Sequence, residues 1–368
     1  MNERMTRKGP QAAESTHEEV RMLRDSADAL FADHVTTALL VSAEAGQFAH
    51  ALWDQIGELG FIESAVSEAG GGAGLPLRAA LSVCFDAGLH ALPLPLGETI
   101  IARWLLDRAG VAAPEGLIAL ALGADFATGT ARNVPWARHA AHVLALSEEP
   151  AQVAEVAPRL LLIEAGACEI APHGNIAGEP RDVVRWKVGA LEADAVDLPA
   201  HLGRTASLAG PAIRSLQLAG AMARALEMTV RYAGERVQFG KPLGKLQAIQ
   251  QYLAVMAGQT ASARVAAEFA LERLEDQNES MAVATAKVRC GQAAALVARH
   301  AHQIHGAMGF THEHPLHWTT RRMWAWRDEY GNESTWAERL TQAVMAAGAD
   351  DLWATVTECS STEAAICK

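Results

Sequence analysis

The strongest constraint on this chain is the recurrence of long apolar stripes at helical spacing in its last third. Ala212, Leu216, Ala219, Leu226 and Val230 mark one stripe, and Leu246, Ile249, Leu253 and Met256 a second. Val283, Cys290, Val297, Ile304 and Met308 form a third, and a fourth begins at Trp336, Leu340 and Val344. Each places apolar side chains on one helix face, and four such faces joined by short connections predict an antiparallel four-helix bundle. Upstream the texture differs. Between about 116 and 203 the apolar runs shorten to "HVLALS" (142–147), "RLLLIEA" (159–165) and "DVVRWKVG", with a "PHGN" turn at 172–175, which reads as a small β unit.

The remainder fits a mainly α fold with a small middle β domain. Residues 1–15 read as a disordered leader, 16–115 as an N-terminal helical domain, 116–203 as the β domain, 204–350 as the bundle and 351–368 as a tail. In the helical domain, Glu98 falls in the first turn of a helix that ends at Gly110. A chain of 368 residues exceeds the usual size of one core, and 50% apolar residues suffice to fill more than one. A net charge of −12 argues against a nucleic-acid partner, which requires a basic surface. Cys84, Cys168, Cys290, Cys359 and Cys367 are scattered, as expected of reduced thiols, and no stretch reads as a signal peptide or membrane span. A cytoplasmic protein is the expectation.

Several chemistries lack their residues. The glycine cluster "SEAGGGAGLPL" (67–77) continues into Leu75 and Pro76 rather than the G-K-[ST] of a phosphate loop, so it reads as an inter-helix turn. A di-iron bundle requires paired Glu-x-x-His motifs, and the single match, Glu14 to His17, falls in the leader. The histidines at 300, 302, 305, 312 and 314 have no carboxylate at ligand spacing, so no metal is expected. Neither G-x-S-x-G nor a strand-borne G-x-G-x-x-G is present.

Two segments carry more information. In "RYAGERVQFGKPLGKLQAIQ" (231–250) a helix brings Arg236 to a break at Gly240, and Gln247 opens the next helix. A guanidinium at such a break can make paired bonds to a phosphate. In "QIHGAMGFTHEHPLH" (303–317) a helix ends in small residues that let a large ligand approach the backbone. On spacing alone, both are also compatible with an ordinary helix turn and a glycine cap.

The pattern of Arg236, Phe239, Gly240, Lys241 and Gln247, followed by Gln303, Gly306, Gly309, Phe310, Glu313 and Pro315, resembles the acyl-CoA dehydrogenase family. So does "LGFIESAVSEAGGGAGL" upstream, and the chain looks like a short, divergent member akin to the subunits of heteromeric actinobacterial steroid-side-chain enzymes. The resemblance implies α,β-dehydrogenation of an acyl-CoA thioester, with FAD held between the β unit and the bundle and completed by a neighbouring subunit. A carboxylate removes the α-proton while the cofactor takes the β-hydrogen as hydride. It also implies an electron-transfer acceptor protein. Arg236, Phe239 and Gln247, with Gln303 and the backbone at Gly306 and Ala307, would contact the diphosphate and adenine half of a partner's FAD.

The catalytic carboxylate is where the sequence departs from the family. The usual position falls on Tyr330 in "AWRDEYGNESTW", and the minority position on Gly210. The flavin-holding stretch is represented by Val134, Pro135 and Trp136 in "NVPWARHA", without the usual hydroxyl. Three possibilities follow. The chain is a base-lacking subunit of an α2β2 enzyme, or a self-sufficient homo-oligomer using Glu329 as base, or a flavin-free helical scaffold. A missing base and a short β unit lean towards a bulky acyl group such as a steroid side chain. Structural roles compete for the same corner: Asp328 and Glu329 could pair with Arg321, Arg322 or Arg327, and Glu333 could cap the next helix.

Overall fold

The computed structural model describes residues 10–147, 157–189, 194–276, 279–348, 350 and 352–353. Helix α1 (Pro10–His34) opens the chain, followed by α2 (Thr37–Glu44), α3 (His50–Glu58), α4 (Leu77–Leu81), α5 (Cys84–Leu89) and α6 (Leu96–Arg108). Part of the supposed leader is therefore helical. Pro10 suits a first helical position, where no N–H is needed, and the helix then runs through 15 without a break. Residues 1–9 and most of the 351–368 tail lie outside the described residues. The glycine cluster is a turn: Ser67 Oγ donates to Asp107 at 2.7 Å, and a Cβ on Gly72 would lie 2.3 Å from the Glu63 carbonyl oxygen. That closeness explains the glycine without any ligand.

The middle unit contains β1 (Ile118–Ala124), β2 (Thr130–Pro135), β3 (His142–Ser147), β4 (Arg159–Glu164), β5 (Cys168–Ala171), β6 (Arg181–Trp186) and β7 (Val196–Asp197). They form one sheet ordered β1-β3-β4-β7 and another ordered β2-β6-β5. The runs at 142 and 159 pair antiparallel from His142↔Glu164 to Leu146↔Leu160, and consecutive residues Val143–Leu146 and Leu160–Leu161 are buried. Burial on both faces is why these strands read as continuous apolar runs rather than alternating ones.

Helix α7 (Ala200–Glu235) starts a few residues before the boundary drawn at 203. A two-strand hairpin, β8 (Val237–Gln238) and β9 (Lys241–Pro242), leads into α8 (Gln247–Glu272) and α9 (Glu279–His305). A short 3-10 turn, Gly306–Phe310, then leads to α10 (Leu316–Asp328) and α11 (Glu333–Ala347). The bundle is formed by α7, α8, α9 and α10, with α11 flanking α9. Its fourth member is thus α10, not the helix that starts near Trp336. Helix α10 escaped the stripe count because it buries His317, Thr319, Thr320 and Arg322, which break any apolar pattern. Val230 and Met308, both assigned to stripes, are exposed, whereas Ala212, Leu216 and Ala219 are fully buried.

Candidate active site

The corner between α10 and α11 is fixed before any ligand is considered. Lys287 of α9, itself 1% exposed, donates from Nζ to the carbonyls of Trp326 (3.2 Å), Arg327 (3.1 Å) and Glu329 (2.8 Å). Those are carbonyls at the end of α10, left without helical partners and carrying the negative end of its dipole. Burial pulls the Lys287 ammonium down to about 8. Trp336 Nε1 donates to the Tyr330 carbonyl at 2.9 Å, and Asn332 Oδ1 caps α11 by accepting from the Thr335 N–H at 3.1 Å. Asn332, not Glu333, is therefore the cap; Glu333 instead pairs with Arg327 at 2.6 Å.

Glu329 finds its partners far away in sequence. Its carboxylate accepts from Arg181 Nε (2.8 Å), Arg214 Nε (2.6 Å) and Asn175 Nδ2 (2.9 Å). Burial alone would raise its pKa, but the Arg181 and Arg214 guanidiniums outweigh that and hold it at about 2. Arg214 in turn donates to Glu98 Oε1 at 2.5 Å, and Arg181 to Glu179 Oε2 at 2.9 Å. Arg322 Nε approaches Glu179 Oε1 at 3.3 Å as an ion pair without hydrogen-bond geometry. Glu98, Arg214, Glu329, Arg181, Glu179 and Arg322 thus alternate in sign and balance in charge. The chain of pairs joins α6, α7, the β unit and α10, and buried charges of this kind are tolerable only when fully paired. The local pairing expected of Asp328 and Glu329 does not form: Arg321 pairs with Glu44, and Asp328 is exposed.

Tyr330, on which the family resemblance places the base, adopts a left-handed backbone (φ 57°). Its ring lies against α7 at Gly210, where the resemblance places the alternative base: a Cβ on Gly210 would stand 3.1 Å from ring carbons Cδ1 and Cε1. The two positions meet in one contact, and neither carries a carboxylate. The Tyr330 hydroxyl is buried without a hydrogen-bond partner, and burial followed by the nearby Glu98 carboxylate pushes its pKa well up. A phenol so placed stays protonated at neutral pH.

A cleft of about 530 Å³ opens between the β unit and α10, lined by Leu120, Leu122, Asn133, Asn175, Trp324 and Tyr330 among others. Its size suits a ring-sized ligand. Behind Arg181, only about 10 Å³ remains between Glu98, Trp136, Arg214, Gln217 and Trp326. Trp136, in the stretch that should hold a flavin, is 2% exposed and packs its indole on Phe48 at 5.5 Å. The indole fills space and offers the cleft no hydroxyl.

The remaining sequence-derived candidates lie elsewhere. Arg236 ends α7, Phe239 sits on the hairpin 86% exposed, Gln247 opens α8, and Gln303, Gly306 and Ala307 close α9, all solvent-facing. They share one end of the bundle, where Tyr232 Oη donates to the His305 carbonyl at 3.3 Å. Gly210 and Arg236 are 26 positions apart along α7, which at about 1.5 Å per residue separates the corner from this tip by roughly 39 Å. The structure therefore brings together two groups, not one: a buried corner and an exposed tip. Among the described residues no group of three or more His, Cys, Asp or Glu is placed to hold a metal, and no helix is long and apolar enough to cross a membrane. The Glu-x-x-His pair at 14 and 17 lies on α1.

Family comparison decides what this arrangement derives from. The acyl-CoA dehydrogenase N-terminal domain matches residues 17–111, and the C-terminal domain of the same family matches 212–348. The chain belongs to the acyl-CoA dehydrogenase family. It is 27% identical over 309 residues to the acyl-CoA dehydrogenase IpdE2 of Mycobacterium tuberculosis, covering 82% of this chain and 89% of that one. A shorter stretch of 102 residues is 41% identical to an acryloyl-CoA reductase (NADH) of Anaerotignum propionicum, spanning 27% of this chain and only 26% of that protein. In fold it is similar to the ChsE4-ChsE5 complex of Mycobacterium tuberculosis, with a TM-score of 0.78 at 19% identity over 89% of this chain and 97% of the other.

Sequence reasoning missed Glu98, Glu179, Arg181, Arg214 and Lys287 as parts of the corner, and gave Arg322 a local partner in place of Glu179. A signal was available for two of them. Arg214 is the lone charge in the mostly apolar helical run "GPAIRSLQLAG", and Lys287 shares "AVATAKVRCG" only with Arg289, a pattern that implies buried partners.

Proposed function

We propose that this chain is the base-lacking subunit of a heteromeric acyl-CoA dehydrogenase, assembled as α2β2 with a second chain of the same family. The observation that carries this reading is the contact between Tyr330 and Gly210, which fills the place where a base would stand. FAD is the cofactor of this family, and when bound it accepts the β-hydrogen of the acyl-CoA as hydride. The α-proton is then taken by a carboxylate on the other chain.

The contribution of this chain lies at its tip. Arg236 supplies a planar guanidinium for the diphosphate of the partner's FAD, and Phe239 an exposed ring for its adenine half. Gln247, the Gln303 amide and the backbone at Gly306 and Ala307 supply further polar contacts. With about 39 Å between tip and corner, these residues serve a cleft that is not formed by their own corner. The first seventeen residues of α8, Gln247–Ala263, contain no charged residue, and Tyr252 and Val255 there are exposed, as suits a face covered by another subunit. Trp136 offers a flavin ring no hydroxyl, and the space it borders behind Arg181 is filled by the ion-pair chain. A bulky acyl group such as a steroid side chain is the substrate class that fits the family resemblance, with reduced FAD passing electrons to an electron-transfer protein.

Purification of this chain alone, and together with the product of a neighbouring dehydrogenase-like gene, tests the proposal. The expected result is a colourless lone chain and a yellow complex whose flavin absorbance bleaches with acyl-CoA. Stoichiometric FAD and turnover by the lone chain, abolished by Glu329→Gln, would establish the self-sufficient enzyme instead.

A further inference from the structure

Directly beneath the tip, four histidines are packed together with their neutral tautomers fixed. Thr320 Oγ1 donates to the Leu316 carbonyl at 3.2 Å, so it accepts from His302 Nε2–H at 2.9 Å, leaving His302 Nδ1 bare. His305 Nδ1–H donates to the Ala301 carbonyl at 2.8 Å, and His317 Nδ1–H to the His314 carbonyl at 2.8 Å. His314 Nδ1 accepts the Leu316 N–H at 3.2 Å and is therefore bare as well. A second proton on His302, His305 or His314 has nowhere favourable to go. His302 Nδ1, His305 Nε2 and His317 Nε2 are buried without a partner. His314 would lose its bond from Leu316.

The rings also form the mechanical seat of the tip. His305 stacks on Tyr232 of α7 at 4.4 Å and meets His314 at 4.6 Å, while His302 stacks on Phe310 at 4.3 Å. Gly309 is pressed onto both: a Cβ there would lie 2.9 Å from His305 Cβ and 3.2 Å from His302 Nδ1. The titratable groups facing the cluster are Tyr232 from α7, His312, Glu313 and His314 from the loop, and His317 from α10. Glu313 is exposed, and no carboxylate stands within ion-pair distance of the four rings among the described residues. Protons taken up here would place like charges less than about 6 Å apart in a poorly hydrated site.

We propose that this histidine cluster is an acid-operated latch: neutral, it seats Gly306–Phe310 against α7 and α10, and on protonation it releases that loop and whatever the loop grips. Burial, with His314 and His302 adding to it, holds His305 down to about 4, and burial also lowers His302 and His314. Their folded values lie below the unfolded one of about 6.5, so the seat is intact above that pH and is lost as pH falls through the folded values. The functional consequence, release of the partner chain and its FAD under acid conditions, rests on the subunit assignment given above.

Two measurements test it on the full chain. Hydrogen exchange of amides 304–316, corrected for intrinsic rates, is compared at about pH 7.5 and 5.0 in wild type and in His302→Gln/His305→Phe, which keeps the ring stack on Tyr232. His314→Gln serves as a second variant should the first fail to fold. The expected result is at least about tenfold loss of protection in wild type at the lower pH, less than about twofold in the double variant, and an intermediate loss in His314→Gln, where His302 and His305 still take up protons. Protection that is indifferent to pH, or lost equally in the variants, overturns the latch. Affinity for the co-expressed dehydrogenase-like chain, measured at both pH values, is expected to fall about tenfold in wild type alone. A tip that opens with acid in a chain that binds no partner at any pH would leave the latch standing and remove the subunit assignment.

Discussion

Tyr330 and Gly210 are complementary: the ring occupies the space that any side chain on Gly210 would need, with Leu122 closing the third side at 2.9 Å from a Cβ there. A glycine inside a helix normally costs about 1 kcal/mol relative to alanine, so Gly→Ala ordinarily stabilises. Here the sign reverses. Gly210→Ala is expected to lose about 1–3 kcal/mol through overpacking. The loss should be relieved in the Gly210→Ala/Tyr330→Ala pair relative to additivity, as measured by a urea double-mutant cycle.

Glu329→Gln separates a base from a buried ion-pair partner. The substitution leaves Arg181 and Arg214 sharing a neutral amide, and breaking one member of a buried pair costs about 3–5 kcal/mol. The expected outcome is a large drop in the urea midpoint, with kcat of the assembled complex changed less than about threefold. A loss of several orders of magnitude in kcat at unchanged stability would identify Glu329 as the base.

The same carboxylate gives the fold an acid limit. Its folded pKa of about 2 lies below the unfolded value of about 4.3, so its stabilisation is complete above the unfolded value and is lost as pH falls towards the folded one. Wild-type stability should therefore decline between about pH 4.5 and 2 more steeply than that of Glu329→Gln. Parallel curves from acid urea titrations would refute this.

Lys287 governs the corner from the other side. Lys287→Met removes the donor from three carbonyls and is expected to cost about 1–3 kcal/mol. Its ammonium is depressed to about 8 against about 10.4 unfolded, so the unfolded chain binds more protons between those values. Stability of wild type relative to Lys287→Met should accordingly rise with pH across that window, as read from denaturant midpoints.

How far the sequence disclosed this arrangement depends on the range of the forces involved. The stripes on α7, α8 and α9 and the runs of β3, β4 and β6 are local periodicities, and each element stands where its pattern placed it. Helix α10 is different, because Arg322 and His317 are buried by partners on other elements and its pattern does not read as amphipathic. The corner failed for the same reason. Glu329 meets Arg181 and Arg214 across 148 and 115 positions, and nothing in "RDEYGNES" reports those distant guanidiniums. What was legible there was a substitution against the family pattern, tyrosine for glutamate, and the contact with Gly210 supplies its packing counterpart.

Arg236 tests the tip independently of the corner. It is exposed at the end of α7 and enters no ion pair among the described residues, so its removal should leave the fold intact. Surface substitutions of this kind stay within about 0.5 kcal/mol. In the assembled complex, Arg236→Ala is expected to weaken FAD retention by at least about tenfold, because a charge-assisted bond to a phosphate contributes about 1.5–3 kcal/mol. Arg236→Lys should recover only part of this, since an ammonium lacks the planar fork. Flavin fluorescence released on dilution gives the measurement, with Tm of the lone chain as control. Unchanged FAD retention in Arg236→Ala complexes would exclude the tip from the cofactor site, even with every residue of the corner in place.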